Sequence, residues 1–147
     1  MIHFEGDRAF PLPPDVVAAK LADAAFLVGC LQNVEQVAEA SADKAVWKLR
    51  TGFSFLSTTL EVTLTVTGRS PAGATYEALS RGVGATSLVR AALTFEPSEG
   101  GTKVHYAADV AERTGFLKVV SPGLMLAAAK AVIEDTWKAI EAKLRAA

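Results

Sequence analysis

Residues 80–88, Ser-Arg-Gly-Val-Gly-Ala-Thr-Ser-Leu, place two glycines two apart ahead of a Thr-Ser pair, a composition that could cradle a phosphate. A phosphate loop needs its glycines between a strand and a helix, with the helix N-terminus aimed at the anion and usually a lysine beside it. Neither condition is met: Thr86, Val89, Leu93 and Phe95 suit a strand, and the loop contains no lysine. Gly82 and Gly84 are read instead as a bend in a long strand pair, a bulge or a close approach of another element.

Other chemistry is equally sparse. His3 and His105 alternate with apolar neighbours on strand-like segments and should face solvent, and there is no HxH, HExxH or Cys/His cluster, so no metal site is expected. The G-x-S-x-G turn of a nucleophilic serine is absent. Cys30, the single cysteine, lies in the apolar run AAFLVGCLQNV without a cationic neighbour and reads as a buried, inert thiol. Gln36, Tyr76, Ser80, Arg90, Glu96 and Asp109 are the polar side chains that could project into a concavity. Arg90 alternates with Val89 and Ala91, which turns it outward. No catalytic residue and no cofactor is assigned.

The elements that would position these groups follow from periodicity. Residues 1–10 alternate as a strand, with Ile2, Phe4 and Phe10 on one side. The prolines of PLPPDVVAAKLADAAFLVGCL open a helix, and a break near Asp23 makes two short ones. From Val34 to Val110 the period is two, punctuated by turn compositions, with room for about six strands. In the clearest, Leu60, Val62, Leu64 and Val66 face one way and Glu61, Thr63, Thr65 and Thr67 the other. Ile133, Trp137, Ile140 and Leu144 then fall on one face of a long C-terminal helix, with Glu134/Lys138 and Glu141/Arg145 as i,i+4 pairs. The order predicts an α+β fold in which an antiparallel sheet curls around its helix.

The chain has 147 residues, enough for a single domain over 1–147 with a sizeable core. With 15 Lys and Arg against 16 Asp and Glu, scattered along the chain, it carries no electrostatic footprint for nucleic acid. The start, MIHFEGDRAF, is unlike a signal peptide, and Lys118, Pro122 and Lys130 interrupt the most apolar later stretch. The expectation is a cytoplasmic protein without an integral membrane segment.

Aromatic residues fall on nearly every element: Phe4, Phe26, Trp47, Phe53, Phe55, Tyr76, Phe95, Tyr106, Phe116 and Trp137. Small residues expected to point inward beside them, Ala38, Ala74, Ala78, Gly82, Ala91 and Ala108, would leave volume unfilled, and an apolar ligand is the natural occupant.

The order of elements, together with FLVGCLQNVEQV, TGFSFLSTTLEVTLTVTGRSPAG, GGTKVHYAADV followed by RTGFL, and the terminal helix, resembles the START-related SRPBCC superfamily. Within it the sequence is most similar to the family of the carbon monoxide dehydrogenase G subunit. The resemblance implies a helix-grip fold, a seven-stranded antiparallel sheet wrapped around the C-terminal helix with two short helices between strands one and two, enclosing a hydrophobic tunnel. It further implies a small hydrophobic ligand such as a lipid, quinone or polyketide-like molecule, and an accessory role beside a molybdenum hydroxylase in an oxidoreductase complex.

On this reading Trp47, Leu49, Leu60, Val62, Leu64, Tyr76, Val89, Leu93, Tyr106, Leu124 and Ile133 line the ligand site of a non-enzymatic binding protein. Two alternatives stand beside it. One is an enzyme of the polyketide cyclase/dehydrase type, which requires at least two of Tyr76, Arg90 and Tyr106 to converge on one cavity. The other is a protein-interaction module with a collapsed pocket and an exposed apolar patch.

Overall fold

A computed structural model describes residues 2–31, 34–50, 59–82, 85–115, 118 and 121–146. The chain runs β1 (Ile2–Phe10), α1 (Pro14–Leu21), α2 (Ala24–Val28), β2 (Val34–Ala40), β3 (Lys44–Arg50), β4 (Thr59–Ser70), β5 (Gly73–Gly82), β6 (Ala85–Ser98), β7 (Gly101–Gly115) and α3 (Pro122–Ala146). The strands form one antiparallel sheet in the order β1-β7-β6-β5-β4-β3-β2. β2 to β7 are thus a meander, and β1 closes beside β7 with Ile2 opposite Val110 and Phe10 opposite Thr102. The architecture is α+β, with a seven-stranded open sheet.

Local chemistry accounts for the breaks. Pro14 occupies the first position of α1, where its missing N–H costs nothing, with Asp15 beside it in the first turn. Asp23 separates the short helices by capping the second: its Oδ1 accepts from the N–H of Ala25 at 2.9 Å. Between β6 and β7, Ser98 pairs with Gly101 across a two-residue connection in which Gly100 has φ +80°, a left-handed conformation that glycine adopts without a steric penalty.

The main core lies between one face of the sheet and the helices. Val17 and Leu21 of α1, Tyr76, Phe95 and Val104 of the sheet, and Trp137, Ile140 and Leu144 of α3 are buried in one cluster. The Trp137 ring packs at 5.9 Å from Phe10 and 5.5 Å from Tyr106, tilted against both. Arg69 fastens the sheet to the helix pair: its Nε donates to the Ala22 carbonyl at 3.0 Å and its Nη1 to Asp43.

Two readings of the sequence need correcting. Gly82 does not sit at a bend within the strand pair; it ends β5 and pairs with Ala85, the first residue of β6. The absence of a side chain at Gly82 serves a close approach, since a Cβ there would lie 2.5 Å from Leu60 Cδ2. Ala38 is exposed, because β2 is the edge strand and everything in it after Val34 is open to solvent. Gly84, Phe53, Phe55 and Phe116 lie outside the described residues, as does the side chain of Arg145.

Candidate ligand-binding chamber

The inner face of the sheet is built in cross-strand rows. Tyr76, Ala91, Ala108 and Phe4 are successive partners across β5, β6, β7 and β1, and the neighbouring row runs Ala74, Leu93, Tyr106 and Gly6. The two adjacent alanines at the middle of the first row make a low floor between large aromatic side chains. A cavity of about 250 Å³ stands over it. Leu21, Leu27 and Leu64 wall one side, and Ile133, Trp137 and Ile140 of α3 wall the other. The lining is almost wholly apolar, and the volume falls just below the roughly 300–1,000 Å³ usual for small-molecule sites.

Of the residues expected to line a ligand site, Leu64, Tyr76, Leu93, Tyr106 and Ile133 meet at this chamber. Trp47 and Val62 are buried instead in a separate cluster with Ala24, Val28 and Ala45, against which Leu49 packs. They share the chamber's face of the sheet, but α2 lies over β3 and β4 and fills that end. The buried Trp47 indole N–H has no acceptor among the described residues. Leu60 sits against Gly82, and Val89 packs on the cluster of Ile2, Phe4 and Val110. Leu124 is 42 % exposed. Nine residues at 100° each put it on the opposite side of α3 from Ile133, whereas Leu126, seven residues away, continues the buried stripe.

The chamber also uses residues that the strand pattern alone does not single out. Leu21 and Leu27 come from the short helices, which a sheet-centred reading overlooks. Trp137 and Ile140 follow Ile133 at i+4 and i+7, so the helical period already pointed to them.

Polar groups do not converge there. The Tyr76 hydroxyl donates to the Leu21 carbonyl at 2.5 Å, and burial pushes the phenol well above its ordinary range, so it is a neutral structural donor. Arg90 is on the outer face, 3.4 Å from Glu77. The outer face also carries His3, whose Nδ1 and Nε2 approach Asp109 at 2.6 Å and Glu5 at 2.8 Å. These hydrogen bonds, that to Glu5 first, raise the imidazole pKa above 6.5. Tyr106 is therefore the one chamber member of the trio whose hydroxyl has no hydrogen-bond partner among the described residues. No group of three or more metal-ligating side chains is found among the described residues. Cys30 is buried, and desolvation raises its thiol pKa.

Beside the chamber, a second hollow of about 430 Å³ opens between β1 and α3. It is lined by His3, Phe4, Glu5, Tyr106, Leu126, Lys130, Ile133 and Glu134. Arg8 of β1 pairs with Glu134 of α3, which holds the Glu134 carboxyl below its usual range. Tyr106 and Ile133 are common to both hollows.

The antiparallel sheet with an apolar chamber under helices is the arrangement expected of the START-related SRPBCC superfamily, which the sequence resembles. The sequence profile of the carbon monoxide dehydrogenase G subunit (CoxG) matches residues 6–145, and the chain belongs to that family. No curated protein matches the chain. Among solved structures, a conserved protein from Geobacillus kaustophilus superposes with a TM-score of 0.84 at 18% identity, covering 98% of this chain and 95% of its own. TTHA0849 from Thermus thermophilus gives 0.65 at 16% identity over 98% and 97%. The Zhui aromatase/cyclase from Streptomyces sp. R1128 gives 0.58 at 16% over 97% and 90%. At these identities the likeness is one of fold. Among the described residues, no helix is long and apolar enough to cross a membrane.

Proposed function

We propose that the protein binds a small hydrophobic molecule, of lipid, quinone or polyketide-like character, between the sheet and α3 in a helix-grip arrangement, and serves in the cytoplasm as an accessory to a molybdenum hydroxylase such as carbon monoxide dehydrogenase. The observation that carries the binding reading is the chamber over the Ala91–Ala108 floor, walled by apolar side chains from the sheet and from α1, α2 and α3. A concave apolar surface that protein atoms leave unfilled favours an apolar guest. The accessory role rests on membership of the CoxG family.

A cyclase reading finds less support. It needs two polar groups at a common point, and Tyr76 is committed to Leu21 while Arg90 lies on the far face of the sheet. The test is native mass spectrometry of the purified protein, together with binding of the uncharged probe N-phenyl-1-naphthylamine. A co-purifying apolar species, or a probe that such species displace, supports the reading; a ligand-free protein that leaves the probe dark rejects it.

A further inference from the structure

Most of the charged side chains around the β1–α3 cleft are held in ion pairs. Glu5 and Asp109 are engaged by His3, and Glu134 by Arg8. Lys130, exposed on the wall of the cleft, has no ion-pair or hydrogen-bond partner among the described residues, and the same is true of the Tyr106 hydroxyl. The unspent groups are thus one ammonium and one phenolic O–H. Both donate, and neither finds an acceptor within the described protein.

We propose that the cleft receives the carboxylate end of an amphipathic ligand, with Lys130 and Tyr106 as its donors and the apolar chamber holding its body. The proposal rests on the chamber reading above and adds the chemistry of the head. Tyr106 and Ile133 wall both hollows, so a molecule lying along them passes from apolar to polar surroundings without leaving the protein's surface. Phe4 and Leu126, which also line the cleft, belong to one apolar cluster with Ile133. A carboxylate there gains a charge-assisted hydrogen bond from Lys130. A cationic head would face the Lys130 ammonium. The Arg8–Glu134 pair ties β1 to α3.

Competition of dodecanoate and 1-dodecanol against N-phenyl-1-naphthylamine at pH 7 tests this, because the two share a chain and differ in the head. The acid is expected to bind at least about tenfold more tightly than the alcohol. Lys130→Gln should bring the acid to within about twofold of the alcohol, with the acid losing far more affinity than the alcohol does. Tyr106→Phe should weaken the acid in an otherwise folded protein. Binding of the alcohol with no preference for the acid, or a preference that survives Lys130→Gln, overturns the head-group assignment and leaves the chamber reading standing. Failure of both ligands and the probe to bind overturns the two together.

Discussion

Gly6 and Tyr106 face each other across β1 and β7, and a Cβ on Gly6 would lie 2.6 Å from the Tyr106 hydroxyl and 2.8 Å from Cζ. The phenol occupies the space over the glycine and is held there by Trp137 behind it. Gly6→Ala should therefore displace the ring and destabilise the protein by about 1–3 kcal/mol, the usual scale of overpacking. In a Tyr106→Ala background the same substitution should be neutral or stabilising, since alanine gives up less backbone entropy in a strand. Urea unfolding of the four proteins of this cycle reads the coupling directly.

Tyr76 pins the end of α1 to the middle of the sheet through Leu21. Removing only its hydroxyl leaves a buried carbonyl without that donor, so Tyr76→Phe should cost about 1–3 kcal/mol in chemical denaturation. A change in stability without a change in probe affinity marks the hydroxyl as structural. Loss of probe binding in a protein of unchanged stability would contradict that role.

The sheet was legible because its residues obey a strict alternation: Leu60 to Val66 and Ile2 to Phe10 announce a face each, and turns rich in glycine and proline separate the strands. The chamber was only half legible. Alternation says which face a residue takes but not which neighbour covers that face, so Trp47 and Val62 are indistinguishable in sequence from Leu64 and Leu93. Their difference comes from where α2 lands, a long-range packing choice. Leu124 shows a different failure. Its apolar character suggested the lining, whereas its phase relative to Ile133 turns it away. The cleft pair Arg8 and Glu134 joins residues 126 positions apart, and nothing local marks either as the other's partner.

His3 supplies a pH signature of the β1–β7 edge. Its folded-state pKa is raised, by Glu5 first and Asp109 next. The stabilisation is therefore fully present below the unfolded value of about 6.5 and is lost as pH rises through the higher folded value. A proton NMR titration should place the His3 midpoint above 6.5, and Glu5→Gln or Asp109→Asn should each move it down. His3→Gln should flatten the corresponding decline in stability between neutral and mildly alkaline pH. A midpoint at or below 6.5 in the native protein would show that the two carboxylates do not hold the charged ring.

The alanine floor yields the sharpest test of the chamber. Ala108 faces Ala91 directly across β6 and β7, with Tyr76 and Phe4 completing the row, so a larger side chain at 108 must rise into the cavity. Ala108→Leu places its extra carbons where the guest would lie. It should weaken binding of N-phenyl-1-naphthylamine by about tenfold or more while leaving the thermal midpoint equal or higher, because filling an apolar void restores contacts that the empty space lacks. Thr94→Leu, on the exposed outer face of β6, serves as the control and should leave probe affinity unchanged. If Ala108→Leu folds with undiminished probe binding, the guest does not occupy the space over the alanines. If it unfolds, Ala108→Val reads the same effect with a smaller intrusion.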